Sequence, residues 1–265
     1  MAIKNVCDEN KKQERLSRIY KIKYNASAII VEYNTADDLI IKVLESGEYI
    51  KTRYSHLEKG EVVPKFVPHI FGVGFIGNAS TIDYFSPKKN GGYKNKRSYI
   101  VWKGMLERCY CDEYLKKHPT YVGCEVCDEW KSYETFEKWY NENYYEIEEY
   151  RIDLDKDIVK KGNKIYSPQT CVFVPQNINV LFNKNKKFRN KLPLGVSRQG
   201  NRFKSQCSIY GKKVHLGLYG TVEEAFYSYK TYKENIIKEI AEEYKDRIPN
   251  KLYLAMYNYQ VEITD

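Results

Sequence analysis

The stretch Ile152-Asp-Leu-Asp155-Lys156-Asp157-Ile158, continued by Lys161-Gly162-Asn163-Lys164 and by Ser167-Pro-Gln-Thr170-Cys171-Val-Phe-Val-Pro175-Gln-Asn177-Ile-Asn179, decides how the middle of the chain folds. Apolar residues lead into a cluster of acids, and Gly-Asn supplies the tight turn of a hairpin. Pro175 suits the first position of a short helix over residues 176–182. The order is strand, turn, strand, helix. Such a unit can bring a carboxylate at a strand end near a carboxamide in the first helical turn, and hard oxygen donors hold a divalent cation beside a phosphate. The acids Asp153, Asp155 and Asp157 equally suit a plain solvated hairpin end, since turns favour Asp without any chemistry.

Outward from this stretch, 265 residues with 42% hydrophobic and 15% aromatic content are ample for more than one core. The formal net charge of +9 is unevenly spread. Residues 184–213 hold ten Lys or Arg and no acid, whereas residues 128–157 hold eleven acids against four bases. A thirty-residue segment of one positive sign favours a polyanion, with phosphate contacts dominating, although like-charge blocks also serve as solvated faces. Apolar runs fall short of the roughly 18 residues of a membrane span, and the first residues lack the apolar core of a signal peptide. The chain therefore reads as cytoplasmic, with neither a membrane nor a small-molecule substrate expected. Seven cysteines, an odd number, argue for thiols or a metal rather than disulfides.

Residues 1–24 are polar and basic and read as a flexible arm. Ala28–Tyr33 and Leu39–Leu44 are β-branched runs with a hairpin pattern, and Tyr49–Tyr54 alternates like a third strand. The unit continues through Ile70-Phe-Gly-Val-Gly-Phe-Ile-Gly77, whose glycines permit close backbone approach. A basic, Gly-containing linker over 86–98 precedes a helical face at Ile100, Val101, Met105 and Leu106 and a second at Trp130, Phe136, Trp139 and Tyr140. That aromatic stripe reads as core. Between the helices, Cys109, Cys111, Cys124 and Cys127 combine CxC with CxxC spacing near His118. Four such thiols could close a tetrahedral Zn2+ site around an interaction scaffold, or could be buried core thiols.

Trp102-Lys-Gly-Met-Leu-Glu-Arg-Cys109, Gly123-Cys-Glu-Val-Cys-Asp-Glu-Trp130, Phe136, Leu154-Asp-Lys156, Gly162-Asn163 and Cys171 together resemble the divergent HNH-like endonucleases, including homing-type enzymes, of bacteriophages. The resemblance covers residues 97–185. It implies a ββα-metal fold that hydrolyses DNA with Mg2+ or Mn2+, with Asp155 as metal ligand and Asn177 or Asn179 as the helix ligand. Lys156 stands where that family carries the water-activating His. General-base catalysis typically contributes about 10²- to 10⁴-fold, and a lysine ordinarily carries its proton at neutral pH. Lys156 could still bind phosphate, and Asp157, Tyr166 and His118 are the other candidates for a base.

Further on, Leu194-Gly-Val-Ser-Arg198, Arg202-Phe-Lys-Ser-Gln206, Gly211-Lys-Lys213 and His215-Leu-Gly217 precede Thr221-Val-Glu-Glu224. These residues resemble the APETALA-two, or ethylene-response-factor, DNA-binding domain, with Phe203 where that family commonly has Trp. The residues themselves predict three strands (194–198, 202–210 and 213–219) and a helix over 223–244 opened by a capping box. Its apolar stripe would be Ala225, Tyr229, Ile236, Ile240 and Tyr244. The sheet face away from that helix would offer Arg198, Arg202, Lys204, Gln206, Lys212 and Lys213 to the major groove. His215 reads as a satisfied strand residue.

The expected fold class is α+β, with a basic arm (1–24), a small antiparallel β domain (25–85), a linker (86–98) and an HNH-like ββα-metal domain (99–185). A basic linker (186–192), an APETALA-two-like domain (193–245) and a docking tail (246–265) follow. The expected function is sequence-directed binding of double-stranded DNA, with metal-dependent phosphodiester hydrolysis at Asp155, Lys156 and Asp157 if the centre is active. The alternative is a non-cutting descendant that binds DNA or a host protein.

Overall fold

The structure, a computed structural model, describes residues 2–87, 92–182 and 192–265. It is an α+β protein with several small antiparallel sheets, and it divides into two compact units, Met1–Asn141 and Glu142–Asp265.

In the first unit, helix α1 (Ala2–Leu16) is followed by β1 (Ile19–Lys21), β2 (Ser27–Thr35), β3 (Asp38–Val43) and β4 (Tyr49–Thr52), which form one antiparallel sheet in sequence order. Burial along β3 alternates strictly, with Leu39, Ile41 and Val43 inside, as a strand with one covered face requires. Leu57 of α2 (Tyr54–Glu58) closes the core. The reading of residues 1–24 as a free arm is corrected here: Tyr20 and Ile22 are buried in this core, and Leu16 packs against it. Two apolar side chains and a strand pairing, Ile19 with Ile29, outweigh the polar composition. The Arg15 guanidinium lies 3.7 Å from the Tyr54 ring centroid and also bonds the Tyr33 hydroxyl.

Strands β5 (Ile82–Pro87) and β6 (Tyr93–Asn95) make a hairpin before α3 (Arg97–Tyr110) and α4 (Asp112–Lys117). After the two-residue β7 (Glu125–Val126) comes α5 (Tyr133–Asn143). Trp102, Met105, Leu106, Trp130, Tyr133 and Phe136 are fully buried, so the aromatic stripe is core as expected. The Trp102 indole N–H donates to the Trp130 carbonyl at 2.7 Å. Ile100, by contrast, is exposed, because the buried face runs through Trp102 rather than Ile100 and Val101. The glycine-rich 70–77 segment is a turn, not a strand. Its close approach is real: a Cβ on Gly74 would stand 2.5 Å from Leu106 Cδ1.

In the second unit, β8 (Ile152–Asp155) pairs antiparallel with β10 (Val172–Pro175), and α6 (Gln176–Asn179) follows, extended by a 3-10 turn, Val180–Phe182. The expected tight Gly162-Asn163 hairpin is replaced by a long connection, residues 156–171, that includes the two-residue β9 (Ile165–Tyr166). Asn163 organises that connection from inside: its buried Nδ2 donates to the carbonyls of Lys156 at 3.0 Å and Ile165 at 2.6 Å.

The sheet β11 (Val196–Gln199), β12 (Arg202–Ile209) and β13 (Lys212–Tyr219) is antiparallel in that order, and α7 (Val222–Tyr244) packs on one of its faces. The capping box is present: Thr221 Oγ1 accepts from the Glu224 N–H at 3.2 Å, and the Glu224 carboxylate accepts from the Thr221 N–H. Phe226, Tyr229 and Cys207 share a core with Val261 of the C-terminal tail. The tail itself forms α8 (Asn250–Tyr257), with Leu252 and Met256 fully buried.

Candidate nucleic-acid interface

Residues directly opposite one another in an antiparallel ladder share a face. Val196 opposes Ser205, Arg198 opposes Phe203, and Cys207 opposes Val214. Because Cys207 and Val196 belong to the core under α7, this parity defines the helix-covered face. The other parity carries Ser197 and Gln199 of β11, Arg202, Lys204, Gln206 and Ser208 of β12, and Lys213, His215 and Leu218 of β13.

The register thus divides the six basic and polar candidates. Arg202, Lys204, Gln206 and Lys213 stand together on the face away from α7. Arg198 and Lys212 have the opposite parity, Lys212 pairing with Ile209. The expectation that Arg198 and Lys212 join the free face is corrected by strand alternation, since a one-residue shift flips a side chain across the sheet. Arg198 is exposed at its strand end and donates to the Gly200 carbonyl at 3.3 Å. Gln199 and His215 replace them on the free face, and His215 is exposed rather than enclosed. Counting by two from Arg202 lands on Arg198 and Lys212; only the cross-strand register, with Gln199 opposite Arg202 and His215 opposite Gln206, identifies both. Residues 196–219 contain no Asp or Glu, so nothing on this sheet neutralises the four cations and potential cations at its free face. The basic linker 186–192 falls, apart from Leu192, outside the described residues.

The acidic stretch is arranged differently. Asp155 ends β8 opposite Val172, and its Oδ1 accepts the backbone N–H groups of Asp157 and Ile158, both at 2.7 Å. Burial pushes its carboxyl above the ordinary range, and those two N–H donors pull the other way. Lys156 is 6% exposed. Its ammonium donates to Asp157 Oδ2 at 2.7 Å and to the Asn163 carbonyl at 2.9 Å. Asn177, on α6, donates from Nδ2 to the Tyr244 hydroxyl at 2.7 Å, and its buried Oδ1 has no hydrogen-bond partner among the described residues. Asn179 closes α6.

The ladder therefore carries Asp155 at one end and passes to α6 at the other, three residues away, about 10 Å along the strand. Asp155 and Asn177 have separate partners in this arrangement and do not form one ligand set. Tyr166 is buried near Lys156, and Cys171 is buried, its thiol pushed up to about 12 by desolvation.

Cys109 on α3 and Cys124 are buried, whereas Cys111 and Cys127 are half-buried. Burial raises the Cys127 thiol pKa, and His118 packs on the Tyr114 ring with centroids 4.4 Å apart. Among the described residues, no three His, Cys, Asp or Glu side chains form a group that could hold a metal ion.

The Asp155 carboxyl gives a pH prediction. Its folded pKa is raised, so folding favours the protonated form. The stability it supports is fully present below the ordinary carboxylate pKa and is lost as pH rises through the folded value. Asp155→Asn keeps the acceptor oxygen and removes the charge. Urea unfolding should show the variant gaining on the wild type between pH 3 and pH 7; a widening loss over that range would contradict the assignment.

No family model matches the chain, and no curated protein or solved structure matches it.

Proposed function

We propose that the chain binds double-stranded DNA through the free face of the β11–β12–β13 sheet, in the cytoplasm of a bacterial host. The observation that carries this reading is the register that gathers Arg202, Lys204, Gln206 and Lys213 on the side opposite α7. Arg and Gln are the side chains that read guanine and adenine edges bidentately, and Lys neutralises phosphate. Two inter-strand spacings of about 4.8 Å make a sheet about 10 Å across, which fits a major groove about 12 Å wide. Among the described residues, no helix is long and apolar enough to cross a membrane.

The second reading adds metal-dependent cutting at the Asp155 stretch, with Mg2+ or Mn2+ as cofactor. What favours the non-cutting form is the use of Lys156 and Asp155 as ties within the 156–171 connection. One experiment separates the two: gel shift of duplex DNA in EDTA, run beside supercoiled plasmid incubated with Mg2+ or Mn2+. A shift without nicking is the expected result. Nicking lost in Asp155→Ala would establish the nuclease, and no shift at all would remove the DNA-binding reading.

A further inference from the structure

Helix α7 buries a charge that the DNA-binding face does not use. Lys233 is 7% exposed, and it falls on the same stripe as Ala225, Tyr229 and Ile237, each four residues from the next. Among the described residues its ammonium has no hydrogen-bond or ion-pair partner. The undescribed residues 183–191 contain no acid that could supply a carboxylate. An isolated buried ammonium is expensive to desolvate, and burial accordingly lowers the Lys233 pKa, with a smaller opposing influence from Cys207.

Lys233 lines a cavity of about 690 Å³, within the ~300–1,000 Å³ range of small-molecule sites. The cavity forms where β11 stops. β11 pairs with β12 as far as Ser205, and the Gln206 N–H reaches the Gly195 carbonyl at 2.9 Å. Beyond that point the β12 edge, at Ser208, borders the cavity. One side of its wall is apolar and aromatic, from Leu194, Val196, Tyr229 and Val261, and the other is polar, with Gln206 and Ser208. The one side-chain carboxylate on the described wall, that of Asp265, is already engaged by the Lys161 ammonium at 2.6 Å and by the Glu262 N–H at 2.9 Å. The described wall therefore presents one unanswered positive charge beside aromatic and branched apolar side chains.

We infer that this cavity binds a small organic anion, its acidic group on Lys233 and its aromatic or branched body against Tyr229, Tyr259 and Val196. A bare inorganic anion would leave the aromatic side of the wall unfilled, and a neutral apolar molecule would leave the ammonium unanswered.

The probe is 8-anilinonaphthalene-1-sulfonate, titrated by fluorescence into the full-length protein. The wild type should show one saturable site per chain, weakened at least tenfold in Lys233→Met, which keeps the stem and removes the charge. Val196→Trp, on the covered face of β11 at the cavity wall, should block the site while Lys233 remains. Absence of a saturable site in the wild type overturns the inference, as does a loss of less than tenfold in a folded Lys233→Met. If Lys233→Met does not fold, Val196→Trp decides: binding equal to wild type overturns the proposal, and lost binding supports it.

Discussion

Arg202→Ala weakens binding to a cognate duplex by about 1–3 kcal/mol, the range for an arginine that reads a base edge, and relaxes preference at the position it contacts. Arg202 stands at the start of β12, exposed, opposite Gln199 on the face without a helix. Among the described residues its side chain makes no hydrogen bond or ion pair, so the far-ultraviolet spectrum and melting temperature stay at wild-type values. Lys204→Ala, two residues along the same face, should behave differently. As a phosphate contact it lowers affinity similarly for all sequences and reduces the salt slope by about one. Fluorescence anisotropy at several salt concentrations checks both. An unchanged affinity in Arg202→Ala would remove the residue from the interface.

Trp102→Ala should cost about 3–5 kcal/mol of stability, the usual range for deleting a buried Trp. Trp102 is fully buried on α3, packs within 5.4 Å of the Tyr133 ring, and donates its indole N–H to the Trp130 carbonyl. Removing it opens a cavity and leaves that acceptor unpaired inside the core, and both effects destabilise. Gly74 approaches the same ring, so the segment 70–77 would lose its support as well. Urea denaturation followed by tryptophan fluorescence and by circular dichroism measures the loss. A cost under 1 kcal/mol would show that Trp102 is not the anchor of this unit.

Much of the local architecture was legible because it follows from short-range chemistry. The Thr221–Glu224 box announces a helix start through two reciprocal hydrogen bonds, and both are formed. The alternation of Leu39, Ile41 and Val43 announces a strand with one covered face. What the sequence left open depends on register and tertiary choice. Arg198 and Lys212 look like companions of Arg202 and Lys213, yet the turn between strands decides parity, and each falls on the helix side. Gly162-Asn163 has the composition of a tight hairpin turn. Here Asn163 is buried and spends its side chain tying Lys156 to Ile165, so the strands that pair are β8 and β10. The stripe of α7 runs through Ile237, not the expected Ile236, and its fourfold spacing enlists Lys233, which polar character alone would have assigned to solvent.

The most direct measurement of the central claim compares two charge reversals of equal size in the full-length chain. Lys213→Glu lies on the free face of the sheet, and Lys238→Glu lies exposed on α7. Each changes the net charge identically, so any general electrostatic effect on DNA binding is shared. Duplex affinity by anisotropy at one salt concentration should fall at least tenfold for Lys213→Glu and less than threefold for Lys238→Glu. Equal losses, or a larger loss from Lys238→Glu, would contradict the assignment of the DNA-binding surface to this sheet.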